Sequence, residues 1–357
     1  MRVSVVIPTF NRASFLVDAI KSALDQDYLD LEVLVSDNCS ADYTEEVGLY
    51  FQKMDPRVRY FRNSKNIGMV PNWHKAVFEF ATGDWFLLLS DDDILVEKDF
   101  ISQAVEIIKA NAQVQLVYSH SYIFDEALYT LNHLKIPFSR VEDGRLVFSK
   151  RGTVKPQDFA LCNVLFPRAL AAQCHAFENP HNLSCDTELF LLLCLRGQVG
   201  VVDRIGSLYR IHSGNLLKTA ARSPELFIGS LDSLVTPLRE ARRLGVDRRV
   251  VAEFVRNSKL AKEIFVILLK TCSVDKARAK KLYSDLKILL GPDDCDLIPS
   301  VRVFKYMLFG APLWPTLLRA RRKALYIYGS LRRKAVSQKV YFELLNRDVY
   351  VEQGKEI

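Results

Sequence analysis

Glycine is scarce in this sequence, 15 of 357 residues, and neither GxGxxG nor GxxxxGKS occurs. A glycine-rich loop is therefore not what would hold a phosphate here. The seven cysteines are odd in number, widely spread and without CxxC spacing, which indicates neither a zinc ribbon nor a disulfide framework and fits a reducing compartment. Long apolar runs are also missing. Runs such as Phe86–Leu89 and Leu189–Leu195 are far below the 18 or so residues of a spanning helix. The start, Met1 to Pro8, has a short apolar run whose proline and polar continuation fit a buried strand better than a signal peptide, so a cytoplasmic protein is expected. Acidic residues are absent from Val301 to Val340, where ten Lys or Arg stand; the net charge of +7 therefore leaves about −3 for the rest of the chain.

What is present is ordinary for a globular protein: 49% hydrophobic and 25% charged residues, which excludes a mostly disordered chain. At about 150 residues per domain, the length predicts roughly two domains. The first 120 residues alternate short β-branched runs with helical patterns, the signature of parallel βαβ units. Strands are expected at Val3–Ile7, Leu31–Ser36, Val58–Phe61, Trp85–Leu89 and Val114–Tyr118, with helices over Ser14–Asp25, Ala41–Lys53, Pro71–Ala81 and Glu97–Ala110. From Tyr122 to Asn182 prolines and glycines break the pattern, as in irregular segments that line a site. A leucine-rich helix at Asp186–Arg196 and two short strands, Val199–Asp203 and Ser207–Ile211, follow. Beyond Ser223 the chain reads as helices, at Leu226–Leu244, Arg249–Thr271 and Lys276–Leu290. The expected fold is α/β, a doubly wound mostly parallel sheet over residues 1–220, followed by a helical, basic C-terminal region over 221–357.

The strongest local signal is a buried strand, Leu87-Leu88-Leu89, running through Ser90 into Asp91, Asp92 and Asp93. Three adjacent anions repel unless a hard metal or basic groups neutralise them, and Mg²⁺ or Mn²⁺ held by one or two carboxylates plus substrate phosphates is the usual solution. The carboxyl end of a strand is where open α/β sheets bind ligands. A helix N-cap with acidic neighbours explains one or two of these aspartates and the third poorly. Asp37, with Asn38, ends the second strand in the same way, where it can accept hydrogen bonds from a base or ribose or simply make a good turn. Cys174, His175, His181 and Cys185 match no standard zinc spacing.

Val5-Val6-Ile7-Pro8-Thr9-Phe10-Asn11-Arg12, Val35-Ser36-Asp37-Asn38-Cys39-Ser40-Ala41-Asp42, Asn66-Ile67-Gly68 and Ser90-Asp91-Asp92-Asp93 together resemble the family 2 glycosyltransferases, over residues 1 to 215. The resemblance implies a GT-A fold, a nucleotide-diphosphate sugar donor (a UDP-sugar by preference), a divalent Mn²⁺ or Mg²⁺ and inverting transfer. By position it implies that Pro8, Thr9, Asn11 and Arg12 line the nucleotide pocket, that Asp37 contacts the base, and that Lys65, Asn66 and Gly68 form the loop beside it. Asp91 would contact ribose or metal, and Asp92 with Asp93 would serve the metal. The family often has Asp where this chain has Ser90, which leaves the division of labour among the three aspartates open.

In the family an acidic pair opens a leucine-rich helix, and Ser184-Cys185-Asp186-Thr187-Glu188-Leu189 is similar, with Cys185 in place of the usual Glu. Asp186 matches the base, with Glu188 its rival; from the residues alone Asp186 serves equally as a helix N-cap. Tyr209-Arg210-Ile211-His212 resembles the YRxH segment, whose histidine reaches toward the diphosphate or metal. The implied function is transfer of a sugar to a hydroxyl of a saccharide or lipid-linked saccharide acceptor, in cell-surface polysaccharide synthesis. A nucleotidyltransferase and a non-catalytic sugar-nucleotide-binding or membrane-scaffold protein are the alternatives. Between Phe304 and Lys334 apolar and basic residues mix, which suits either an anionic membrane face or a solvated helical face; Pro312 and Pro315 restrict any insertion to the interface. The expected location is cytoplasmic, peripheral on the inner face of the membrane. No nucleic-acid-binding module is present.

Overall fold

The computed structural model describes residues 1–138, 140–151, 161–215 and 224–258. The apolar runs of the first half are continuous because both faces of their sheet are covered. Strands β1 (Val3–Thr9), β2 (Leu31–Asp37), β3 (Val58–Arg62) and β4 (Trp85–Leu88) form a parallel block in the order β3-β2-β1-β4. Successive side chains serve opposite cores. Val5, Ile7, Val33, Val35 and Leu87 lie on one face, Val6, Leu34, Phe86 and Leu88 on the other.

Helix α1 (Ala13–Leu24) buries Leu16, Ala19, Ile20 and Ala23 against the first face, an apolar stripe of helical spacing. Helix α2 spans Thr44–Met54. Helix α3 (Met69–Lys75) runs into a π-helical turn, Ala76–Phe80, and its Val70 and Trp73 cover the second face. Strand β5 is Ile94–Leu95, and helix α4 (Phe100–Ala110) returns to the first face through Phe100, Ile101, Ala104 and Val105.

The second half of the sheet departs from the sequence expectation in two strands. Strand β6 runs Val114–Asp125, far beyond Tyr118, because Ser119, His120 and Ser121 are buried polar residues that interrupt the apolar run without ending the strand. The two strands expected near 199–211 are one, β10 (Gln198–Ile211), parallel to β6. Register shifts between Val202 and Ser207 carry the exposed Asp203 and Arg204 as a bulge, which reads in sequence like a break.

The punctuated stretch supplies antiparallel strands β7 (Thr130–Leu134) and β8 (Val141–Asp143), helix α5 (Gly144–Ser149), strand β9 (Val164–Pro167) and helix α6 (Arg168–Gln173). The full order is β3-β2-β1-β4-β9-β6-β10-β5, with β7 on β6 and β8 on β10. Strand β9, antiparallel to both neighbours, joins the two parallel parts. The architecture is thus α/β with a mostly parallel sheet of GT-A type.

Helix α7 (Cys185–Cys194) is apolar on every side beyond its first turn, and Leu189, Phe190, Leu191 and Leu193 are buried in the second core. Helices α8 (Pro224–Arg243) and α9 (Arg248–Asn257) belong to that same core. Leu234, Val235, Leu238 and Phe254 are buried in it, Phe254 stacks on Phe148 at 4.1 Å, and Arg196 pairs with Glu240 at 2.8 Å. The helix expected at Lys276–Leu290 and the basic stretch 301–340 lie outside the described residues.

Candidate active site

Parallel pairing brings the carboxyl ends of β1 to β4 to one edge, with Thr9 opposite Asp37 and Asp37 opposite Arg62. The turn after β4 delivers Asp91, Asp92 and Asp93 to this edge, 4%, 5% and 1% exposed. The cation that meets them is Arg12, at the start of α1. Its Nη1 donates to Asp91 Oδ1 at 2.9 Å and to Asp92 Oδ2 at 2.7 Å, and its Nη2 to the Gly214 carbonyl at 2.7 Å. Asp92 Oδ2 also meets His212 Nε2 at 2.8 Å and Asn215 Nδ2 at 3.3 Å. Because the Gly214 N–H donates to His212 Nδ1 at 3.2 Å, a neutral ring carries its proton on Nε2, facing Asp92.

Burial pushes Asp91 up to about 6, against the pull of Arg12 and with help from the charge of Asp92. Asp93 is turned inward. Its Oδ1 accepts the Arg210 backbone N–H at 2.8 Å, and its Oδ2 is buried with only the Cys162 thiol as a loose partner. Burial, followed by the Asp92 charge, holds it well above the usual carboxylate range. Two effects therefore act against the repulsion that the sequence assigns to a metal: the Arg12 guanidinium, and burial that favours the protonated form of Asp93.

Among the described residues, no three His, Cys, Asp or Glu side chains converge as a metal-holding group. The donor set still fits a hard divalent ion at one point. None of the three donors on Asp92 Oδ2 reaches Oδ1, and one carboxylate oxygen together with ligand phosphates is a common way to hold Mg²⁺. Asp93, the other residue expected to serve a metal, has its Oδ1 engaged by the Arg210 N–H and its Oδ2 buried.

The loops after β1 and β2 are clasped together. Asn11 N–H donates to Ser40 Oγ at 2.8 Å, Ala41 N–H to Asn11 Oδ1 at 2.7 Å, and Asn38 N–H to the Thr9 carbonyl at 2.9 Å. The clasp holds Asn11 (φ 56°) and Cys39 (φ 68°) in left-handed conformations, of which the second is uncommon for its residue type. Thr9 Oγ1 is buried beside the Asp91 carboxylate, and Pro8, opposite Ser36, offers no N–H. The Asp37 side chain has no exposed surface. Its Oδ1 accepts from Ser40 N–H and Oγ at 2.8 and 2.6 Å, its Oδ2 from Tyr60 at 2.6 Å, and Arg62 Nε lies 3.4 Å away. Contact between this carboxylate and a base requires one of these partners to yield.

Asn38 organises the neighbouring loop. Its Nδ2 donates to Asn66 Oδ1 and the Gly68 carbonyl, and its Oδ1 accepts from Ile67 N–H. Gly68, at φ 90°, precedes α3 in a conformation side chains disfavour. Lys65 is exposed on the same loop.

Helix α7 presents the other expected group. Ser184 occupies the N-cap position and Asp186 lies inside the first turn, so Asp186 is not the cap. Burial holds the Asp186 carboxyl above its usual range, opposed by the Thr187 backbone and by Arg151. Glu188 is engaged, accepting from Asn182 Nδ2 at 2.5 Å. Tyr209 on β10 links this end to the acidic turn: after burial, the charges of Asp93, Asp92, Cys162 and Asp186 all raise its hydroxyl.

The structure thus joins Arg12, Asp91, Asp92 and His212 directly, joins Asn11 to Asp37 through Ser40, and joins Asn66 to Gly68 through their own hydrogen bond. Sequence reasoning missed Ser40, Tyr60, Arg62, Gly214 and Asn215. Tyr60 and Arg62 were accessible in principle, since alternate residues of β3 share the face that meets Asp37; the 214–215 turn carries no such signal.

The family model for glycosyl transferase family 2 matches residues 4–166. A GalNAc(5)-diNAcBac-PP-undecaprenol beta-1,3-glucosyltransferase of Campylobacter jejuni is 44% identical over 96 residues, 27% of this chain and 31% of that protein. The abequosyltransferase RfbV of Salmonella typhimurium is 33% identical over 119 residues, 32% of this chain and 35% of that one. The chain spans about a third of the length of these curated relatives. The crystal structure of S. aureus TarS 1-349 in complex with UDP-GlcNAc has a TM-score of 0.57 at 16% identity, covering 85% of this chain and 90% of that one, a likeness of fold. Residues 4–166, just under half of the chain, are thus similar to the glycosyl transferase family 2 domain.

Proposed function

We propose that the protein is an inverting glycosyltransferase that moves a sugar from a nucleotide-diphosphate sugar to a hydroxyl of a saccharide or lipid-linked saccharide, in cell-surface polysaccharide synthesis. The observation that carries this reading is the pairing, on a domain similar to family 2, of two unlike acidic groups. Asp91 and Asp92 are bound to Arg12 at the strand ends, whereas Asp186, among the described residues, makes no hydrogen bond to another side chain and is held above its ordinary range by burial. A carboxylate in that condition suits a general base.

In this reading the acceptor hydroxyl gives its proton to an Asp186 oxygen as its own oxygen forms a bond to the anomeric carbon. The bond from that carbon to the diphosphate oxygen breaks on the opposite face, inverting the centre, and the nucleoside diphosphate leaves with the electron pair. Arg12, His212 and Asn215 orient the acidic turn, and the clasped loops with Pro8, Thr9, Asn11, Lys65, Asn66 and Gly68 form the walls of the nucleotide pocket. Asp37 shapes that pocket from beneath through Ser40 and Tyr60. A Mg²⁺ or Mn²⁺ ion, when bound, would be held by Asp92 through Oδ1, with Asp91 beside it, and would stabilise the departing diphosphate. Uridine is the proposed base; TarS, of like fold, was crystallised with UDP-GlcNAc. The lipid-linked acceptor class follows the Campylobacter relative, whose name carries a PP-undecaprenol saccharide. No helix among the described residues is long and apolar enough to cross a membrane, and contact with anionic lipid is assigned to the basic stretch 301–340.

Release of nucleoside diphosphate from a panel of nucleotide sugars tests the proposal. Asp186→Asn should lower the transfer rate about 10³-fold while donor affinity changes little, and Glu188→Gln should lower it less than about tenfold. Wild-type turnover in Asp186→Asn, or release of pyrophosphate in place of nucleoside diphosphate, overturns it.

A further inference from the structure

We propose that Arg12 and a divalent cation compete for Asp91 and Asp92, so that arrival of the cation expels the guanidinium and unlatches the turn at residues 213–215. The inference rests on the metal-assisted form of the glycosyltransferase reading. A single guanidinium nitrogen bridges both carboxylates, at 2.9 and 2.7 Å, where their side chains are only 5% and 6% exposed. Little water is left there to screen a second cation, and a divalent ion on Asp92 Oδ1 would share one carboxyl group with the guanidinium. Like charges that close repel strongly in a poorly solvated site.

The second guanidinium nitrogen makes the competition structural. It holds the Gly214 carbonyl at 2.7 Å, while Asn215 is on the same Asp92 oxygen at 3.3 Å. Withdrawal of Arg12 removes the first restraint and weakens the second. The strand end before the turn has an anchor of its own: the Phe15 ring lies 5.1 Å from that of His212 and 4.8 Å from the Arg210 guanidinium. Movement is therefore confined to the residues after His212, and occupancy of the acidic turn is reported by the turn at 213–215.

The test is titration of the full-length protein with Mn²⁺ alone, following the free-ion paramagnetic resonance signal. Arg12→Gln, which removes the competing charge, should bind Mn²⁺ about tenfold more tightly than wild type, and adding Asp92→Asn should abolish binding in both backgrounds. Without metal, Arg12→Gln should melt a few degrees lower than wild type, and saturating Mn²⁺ should narrow the gap. If Arg12→Gln does not fold, Arg12→Met serves: it removes the same charge while keeping the apolar stem, and it should also bind Mn²⁺ more tightly than wild type. Equal or weaker Mn²⁺ binding in the Arg12 variants overturns the competition and leaves the metal-assisted reading standing. Failure of every form, wild type included, to bind Mn²⁺ overturns both.

Discussion

Two clusters of buried acid stand at opposite ends of the same parallel strands, and they are built differently. At the amino end Glu32 is fully buried and fully served. Its Oε1 accepts from Ser4 Oγ at 2.6 Å and from Thr82 N–H and Oγ1 at 2.7 and 3.0 Å, and its Oε2 pairs with Arg59 at 3.1 Å and Arg2 at 3.5 Å. Burial alone would raise its carboxyl, but these partners, Ser4 and Thr82 foremost, bring it below the ordinary value. At the carboxyl end Asp91 and Asp93 are held high by burial, and among the described residues Thr9 Oγ1, Asp93 Oδ2 and Arg210 Nε are buried with only loose partners, the Asp91 carboxylate, the Cys162 thiol and Glu126 at 3.9 Å. The lesson is one of donor supply. An anion that only supports the fold is surrounded by donors, whereas the strand ends where ligands bind keep polar groups waiting.

The strongest way to break this contrast is to remove the charge at the well-served end. Glu32→Gln should destabilise the protein by about 3 kcal/mol at pH 7, since the neutral amide cannot answer two arginines and three hydrogen-bond donors. The pH dependence has a definite sign. A carboxyl lowered by folding contributes stability that is complete above its unfolded value, near 4.5, and is lost as the pH falls through its lower folded value. Urea midpoints of wild type and variant should therefore be far apart at pH 7 and converge below about pH 4. A gap that stays constant or widens toward acid would mean that the Glu32 charge is not what its partners stabilise.

A second substitution asks whether strand end or donor supply makes the difference. Asp37 lies at the carboxyl end, like Asp91, yet is as well served as Glu32. Tyr60→Phe removes one of its donors, the hydroxyl at 2.6 Å, and leaves Ser40 and Arg62 in place. Burial, and then the bond to Asp37, raise the Tyr60 hydroxyl, so it stays a donor over the working range of pH. The expected loss is about 1.5 kcal/mol, read from the same denaturation curves. No measurable loss would show that donors at this end of the sheet are dispensable.

The legible part of this molecule is the part where one residue's type decides its place. The largely apolar runs Val3–Ile7, Leu31–Ser36 and Trp85–Leu89 announce strands buried on both faces, and their shared direction sets Asp37 and Asp91–Asp93 along one edge. The cation opposite those carboxylates was not legible. Arg12 lies 79 residues from Asp91, and nothing local distinguishes an arginine that pairs with an acidic turn from one that lines a pocket. Strand β10 misled for a different reason: a bulge holding Asp203 and Arg204 interrupts the side-chain pattern while the pairing with β6 resumes after it. Strand β9 escaped because a short antiparallel strand among prolines has no periodicity to read. The N-cap reading of Asp186 failed by two positions, a distance that sequence cannot resolve and that separates a capping residue from a candidate base.

The smallest effect is expected at Asp93, and its smallness is the point. A carboxyl raised by folding holds its proton to a higher pH than it does in the unfolded chain, and a protonated acid differs little from an amide in shape and charge. Asp93→Asn retains an oxygen for the Arg210 N–H, now 2.8 Å from Oδ1, and removes the buried oxygen that has only the Cys162 thiol as a loose partner. Its stability at pH 7 should lie within about 0.5 kcal/mol of wild type, against about 3 kcal/mol for Glu32→Gln. The sign of its pH dependence is opposite as well. Wild type loses stability as the pH climbs from the unfolded value of Asp93 toward its raised folded value, because the unfolded chain ionises first, whereas the amide has nothing to lose. Between pH 5 and pH 8 the melting temperature of Asp93→Asn should therefore hold level or rise relative to wild type. A loss comparable to that of Glu32→Gln, growing with pH, would show that Asp93 carries its charge in the folded protein and that the two ends of the sheet treat their acids alike.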